Sequence, residues 1–157
     1  MRVLIVKTTS MGDVVHALPA VTDLHRRCPD AAIDWLVEAP FAAIPALHPA
    51  VQQVLPLAWR KWRRNLWRAE TRQAIASLRQ RLRAQRYDLV IDLQGLVKSM
   101  RWGLQARGPL VGYDRHSIRE PLAALGYRRT AAVARELHAV ERCRRLMAAH
   151  LGYPPPS

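Results

Sequence analysis

The chain has 157 residues, half of them apolar, with 25 lysines and arginines against 12 acids for a formal charge of +13. That length and apolar content support one folded domain around a single core and exclude a disordered chain. The charge selects a polyanionic partner (nucleic acid, an anionic membrane face or a phosphorylated ligand), while no apolar run approaches the roughly 20 residues of a membrane span.

The N-terminus runs directly into Val3-Leu4-Ile5-Val6, a β-branched apolar run that predicts a strand buried on both faces. No signal-peptide architecture precedes it, so a cytoplasmic location is expected. The run breaks into Lys7-Thr8-Thr9-Ser10-Met11-Gly12-Asp13, and an apolar helical pattern follows at Val14, Val15, Leu18, Val21 and Leu24 as far as Arg27. Ile33–Val37 predicts a second strand, 41–47 a short helix, and Val51–Leu57 a third strand near a sheet edge, because Gln52 and Gln53 interrupt it. A helix over 69–84 carries Ile75, Leu78 and Leu82 at helical spacing. Tyr87–Asp92 is a fourth strand and 96–106 a helix; 108–112 is a fifth strand, with a short helix near 120–125 and a last one over 137–150. Strand–helix alternation of this kind implies a parallel sheet with right-handed crossovers, a Rossmann-like α/β fold. Gly152-Tyr153 followed by three prolines is linker chemistry, so the domain is expected over 1–152 and a proline-rich linker over 153–157.

Two cysteines, Cys28 and Cys143, form no CxxC pair, and the six histidines have no ligand spacing. That pattern fits a reducing compartment and gives no metal site.

The corner at 7–13 lacks both the Walker lysine and a GxGxxG, so neither a nucleotide P-loop nor a dinucleotide site is supported. What it offers is a carboxylate at a helix start. Asp13 reads either as a first-turn acid that stabilises its own helix, or as a general base at the carboxyl end of a parallel strand. The segment 59–86 holds ten lysines and arginines against one acid, Glu70. Within it, Trp59-Arg60-Lys61-Trp62-Arg63-Arg64 interleaves cations with tryptophan. That pattern suits phosphate pairing with membrane-interface insertion or base stacking, or else a solvated loop whose tryptophans pack inward. A second strand-to-helix corner, Asp92-Leu93-Gln94-Gly95-Leu96-Val97-Lys98-Ser99, would share the rim with Asp13. Arg119 could clamp a phosphate or carboxylate, and His138 opens a helix as a cap or packing residue.

Met1 to Ala20, read with Asp34–Glu38, Ile44-Pro45, His48–Val51, Arg60–Arg64, Tyr87-Asp88, Val90–Asp92, Gln94–Ser99, Arg119–Leu122 and His138–Arg142, resembles the lipopolysaccharide heptosyltransferases of glycosyltransferase family 9. The likeness spans essentially the whole chain. Ser10-Met11-Gly12-Asp13 resembles the branch adding the first inner-core heptose; the branch adding the second carries tryptophan and valine before Gly-Asp. The resemblance implies the N-terminal, acceptor-binding half of an inverting, metal-independent GT-B glycosyltransferase that needs no cofactor. Its donor would be ADP-heptose and its acceptor Kdo2-lipid A. Asp13 would be the catalytic base. Thr9, Ser10, Gly12, Arg60, Lys61, Arg63, Arg64, Gln94, Arg119 and His138 would contact the acceptor. Lysine at 61 and arginine at 64 depart mildly from the family's pattern, keeping charge but altering fork geometry.

The implied donor domain would lie beyond Ser157, so these residues alone are expected to bind acceptor without turnover, at the cytoplasmic face of an anionic inner membrane. A basic nucleic-acid-binding module is the alternative. It has the charge but no helix-turn-helix, RRM or zinc signature, and nucleic acid is not the expected partner.

Overall fold

The computed structural model describes every residue but Pro156, so the expected linker over 153–157 lies partly outside the described residues. Six strands, β1 (Arg2–Val6), β2 (Ala32–Glu38), β3 (Val51–Leu57), β4 (Leu89–Asp92), β5 (Leu110–Tyr113) and β6 (Arg129–Ala131), form one sheet in the order β3-β2-β1-β4-β5-β6. Every pairing is parallel. The order reverses direction between β1 and β4. Their carboxyl ends therefore diverge into the crevice where open α/β sheets receive ligands.

β1 sits at the centre because Val3, Leu4, Ile5 and Val6 are all fully buried, as a strand covered on both faces requires. β3 is an edge strand, as its glutamines predict. β6 has no counterpart in the sequence reading. It is three residues long, and Arg129 and Thr130 point to water, so it carries no apolar period. Its register on β5, Val111 opposite Arg129 and Tyr113 opposite Ala131, is set by the neighbouring strand.

Among the described residues the α-helices are α1 (Met11–Arg27), α2 (Ala43–Ala46), α3 (Trp59–Trp62), α4 (Ala69–Ala84), α5 (Val97–Gly103) and α6 (Ala139–Leu151). α1 starts three residues before Val14, where the expected apolar pattern begins, and continues through Pro19. α5 is shorter than expected, and α6 begins after His138, whose ring accepts from the Val140 N–H. α1 packs against α2 and α6 on one face of the sheet. There Arg144 grips Asp23 with two guanidinium nitrogens, at 2.7 and 3.2 Å. α4, α5 and a 3₁₀ helix over Pro121–Gly126 cover the other face.

Two buried polar contacts tie the centre together. The Trp35 indole donates to the Lys7 carbonyl at 3.0 Å, and the Tyr87 hydroxyl donates to Asp34 at 2.7 Å. Among the described residues no helix is long and apolar enough to cross a membrane.

Candidate functional site

The site grows from the two corners on either side of the switch point. After β1 the chain turns through Lys7–Ser10 into α1. The Lys7 ammonium is buried and donates to the Leu93 carbonyl at 3.1 Å. The backbone N–H groups of Thr8 and Thr9 both donate to Gln94 Oε1, at 3.3 and 3.4 Å. Both β1-side contacts end on the β4 corner, so the β1 loop is held by the neighbouring strand's turn rather than by itself. The Ser10 N–H donates to Asp13 Oδ2 at 3.1 Å, a helix-start bond that fixes the carboxylate one turn into α1. Asp13 is half-buried at that position. The first-turn role is therefore present. It engages one carboxylate oxygen and leaves the group at the mouth of the crevice.

The β4 corner is rigid for its own reason. Asp92 is fully buried and accepts from the N–H groups of Gln94 (2.9 Å) and Gly95 (3.2 Å), from the Ser99 hydroxyl (2.9 Å) and from the Tyr127 hydroxyl. Burial pushes its carboxyl above the usual carboxylate range, against the pull of those donors. Gly95 takes φ +74°, and a Cβ there would stand 3.0 Å from Ile118 Cγ1, so both conformation and space call for glycine. The outcome is a fixed Gln94 side chain, facing the β1 loop.

Between these corners and the start of α6 lies a cleft of about 230 Å³ lined by Asp13, Gln94 and Arg119, and also by Lys7, Arg135 and Arg142. Four cationic side chains surround one carboxylate. The Arg142 guanidinium lies 4.5 Å above the Tyr113 ring and donates to the Ser117 carbonyl, while its buried Nε has no partner. Cys143 lines the floor, where burial raises its thiol pKa and keeps it protonated. A cleft of this kind selects an anionic ligand and presents a single proton acceptor to it.

The remaining expected site residues are dispersed. Thr9 is buried and engaged with Gln94, whereas Ser10 and Gly12 are exposed; a Cβ on Gly12 would meet open space. Arg60, Lys61, Arg63 and Arg64 are exposed on α3 and the turn after it, and none of them lines the Asp13 cleft. The rim between the two carries Glu38, buried at the end of β2, with Lys98 3.6 Å away. Burial raises the Glu38 pKa while Lys98 and Arg60 oppose the rise. His138 is exposed; it caps α6 and sets its ring edge-on to His16 at 5.2 Å, beside the cleft rather than in its lining.

Trp62 is buried, and Trp59 and Trp62 both pack on Trp102 of α5 with ring centroids 6.1 Å apart. Trp59 and Trp62 thus pack inward, whereas Trp67 is exposed. Lys7, Arg135 and Arg142 were missed from sequence. Lys7 had a signal, a lysine placed directly after a buried strand. Arg135 and Arg142 reach the cleft only through the docking of α6.

The family model for glycosyltransferase family 9 (heptosyltransferase) matches residues 75–157. Lipopolysaccharide heptosyltransferase 1 of Pseudomonas aeruginosa is 53% identical over 158 residues, covering 99% of this chain and 44% of that protein. The Escherichia coli K12 protein of the same name is 49% identical over 157 residues, covering 99% and 49%. The E. coli heptosyltransferase WaaC, solved with ADP, superposes with a TM-score of 0.97 at 49% identity, over all of this chain and 49% of that one. A glycosyltransferase family 9 protein of Veillonella parvula has a TM-score of 0.80 at 14% identity, a likeness of fold alone. The chain spans about half the length of the curated relatives it matches. With a Rossmann-like sheet that is one half of a GT-B arrangement and matches of this extent, the chain belongs to glycosyltransferase family 9, the heptosyltransferases.

Proposed function

We propose that these residues are the acceptor-binding half of an inverting heptosyltransferase that moves heptose from ADP-heptose to a Kdo residue of Kdo2-lipid A during assembly of the lipopolysaccharide core. Support comes from the named relatives, heptosyltransferases at about half identity, one of them solved with ADP and again with ADP-2-deoxy-2-fluoro heptose. The observation that carries the reading is one carboxylate, Asp13, at the β1/β4 crevice with Lys7, Arg119, Arg135 and Arg142 around it. Kdo bears a carboxylate and lipid A bears phosphates, so a cationic cleft suits that acceptor.

In this reading Asp13 takes the proton from a Kdo hydroxyl as its oxygen attacks the anomeric carbon of the heptose. The C–O bond to ADP breaks on the opposite face, ADP leaves with the electron pair, and the configuration inverts. The cleft cations hold the acceptor's charge and orient its hydroxyl. The exposed Arg60–Arg64 segment meets more distant phosphates of the same acceptor. ADP-heptose is held by a segment outside these 157 residues.

The test separates the base from the helix-start acid. In a protein carrying both halves, Asp13→Asn keeps an oxygen for the Ser10 N–H and should leave stability within about 0.5 kcal/mol, while transfer of labelled heptose to Kdo2-lipid A falls at least about 100-fold. Asp13→Ala should lose both turnover and about 1 kcal/mol of stability. Near-normal transfer by Asp13→Asn reduces Asp13 to its structural bond. Robust transfer by the 157 residues alone refutes the division between acceptor and donor halves.

A further inference from the structure

A second cleft, of about 310 Å³, opens where α3, α4 and α5 meet, and the proposed transfer reaction makes no use of it. Helical spacing builds two of its walls. On α4, Ile75 and Arg79 are four residues apart and share a face; on α5, Lys98 shares one with both Arg101 and Trp102. Trp59 of α3 completes the lining. None of Arg60, Lys61, Arg63 and Arg64 lines this cleft, and it has no lining residue in common with the Asp13 cleft.

The charge of the lining is of one sign. Arg79, Lys98 and Arg101 contribute three cations, and no carboxylate lines the cleft. Arg79 and Arg101 are exposed, and among the described residues neither is within ion-pair distance of an acid. Lys98 has Glu38 for a neighbour, but at 3.6 Å the contact is too long for a hydrogen bond, and the buried Glu38 Oε1 accepts from no donor. That contact therefore engages none of the ammonium N–H groups. Converging cations without a counter-charge favour an anion between them.

The apolar part of the lining is aromatic and held from behind. Trp102 is buried, and Trp59 stands edge-on to it at 6.1 Å and 72°. Trp62 lies tilted on the same ring at 6.1 Å. Trp59 is only half-buried, so its indole keeps surface for a ligand while its neighbours fix its orientation. A ring held in advance loses little conformational freedom on binding. A flat base stacks on such a ring, and guanidinium forks pair with the terminal oxygens of a phosphate. The volume is at the small end of ligand pockets, enough for one ring system and one phosphate.

We infer that the cleft between α3, α4 and α5 binds a nucleoside monophosphate, with its base against Trp59 and its phosphate on Arg79, Lys98 and Arg101. The site is separate from that of the sugar-nucleotide donor, which is assigned above to a segment outside these 157 residues. It does not depend on the transfer reaction, because neither heptose nor acceptor takes part.

The experiment is isothermal titration calorimetry of the 157-residue chain with adenosine 5′-monophosphate over a salt titration, with inorganic phosphate and adenosine as separate arms. The nucleotide should saturate one site with a Kd below about 1 mM, weaken as salt rises, and bind at least about tenfold more tightly than either fragment. Arg79→Gln with Arg101→Gln should weaken nucleotide binding at least about tenfold and flatten the salt dependence. Trp59→Leu should bring the nucleotide down to the affinity of inorganic phosphate, whereas Trp59→Phe keeps a ring and should retain most of the binding. Arg119→Gln removes a cation of the Asp13 cleft, and Arg128→Gln an exposed one that lines neither cleft; both should bind the nucleotide as the wild type does. All four arginines are exposed, so the thermal midpoints of these variants should match the wild type.

Absence of saturable nucleotide binding, an affinity no greater than that of inorganic phosphate, or an equal loss in Arg128→Gln overturns the inference. So does loss of binding in Arg119→Gln with Arg79→Gln/Arg101→Gln unaffected, which would put the nucleotide in the Asp13 cleft.

Discussion

Gln94 is the residue through which the two corners of the crevice communicate, and Gln94→Leu is the sharpest perturbation of that link. Its Oε1 accepts from both the Thr8 and Thr9 N–H groups, while its own N–H is fixed by Asp92. The side chain is 8% exposed, so water does not replace the lost acceptor freely. Leaving two buried N–H groups unpaired would cost several kcal/mol at ideal geometry, but the bonds are long, 3.3 and 3.4 Å. The expected loss is accordingly about 1–2 kcal/mol, or roughly 3–6 °C in the thermal midpoint for a domain of this size.

The functional effect should be larger than the stability effect. Asp13 is four residues beyond Thr9, and displacement of a reacting group by about 1 Å can lower turnover about 100-fold. Gln94→Glu keeps Oε1 and places its charge beside Lys7 and Arg119, so it should recover most of both losses. Urea unfolding of the three proteins gives the stability; labelled-heptose transfer in a protein carrying both halves gives the turnover. If Gln94→Leu unfolds within about 0.5 kcal/mol of wild type and transfers normally, the loop is held by something other than Gln94.

Two further perturbations probe the frame around the site. A Cβ at Gly112 would fall 2.4 Å from the Tyr127 ring, the same ring whose hydroxyl donates to Asp92, so Gly112→Ala should destabilise by about 2–3 kcal/mol and lower the cooperativity of unfolding measured by circular dichroism. His150 is buried beside the Gly112 carbonyl, 2.9 Å from Nε2, and burial holds its pKa below 6.5; His48 shifts the same way. Because the folded form resists the proton, this stability is full above pH about 6.5, where the unfolded chain is also neutral, and is lost as pH falls below it. Thermal midpoints should therefore drop on acidification from neutral pH, and His150→Gln should flatten the drop; an unchanged pH profile in that variant would exclude His150 as a source.

Much of this protein is written in its sequence because much of it is local. Val3–Val6 can only be a doubly covered strand, and the strand–helix alternation obliges a parallel sheet. The glutamines of β3 already mark an edge. Asp13 is legible as a carboxylate at a helix start, and family 9 as the likeness running through the chain. What tertiary structure alone decided depends on long-range packing. β6 exists because β5 offers it an edge, not because Arg-Thr-Ala favours a strand. Arg135 and Arg142 become neighbours of Asp13 only when α6 docks against α1, and Lys7 is fixed beside it by the Leu93 carbonyl of the β4 corner. In sequence Trp62 reads equally as an inserting or stacking residue and as one that packs inward; the hydrophobic surface of Trp102 decides for the second and leaves Trp67 facing solvent. Sequence periodicity reports which residues of one element share a face. Which faces of different elements then meet is fixed by the sheet order and the area they bury together.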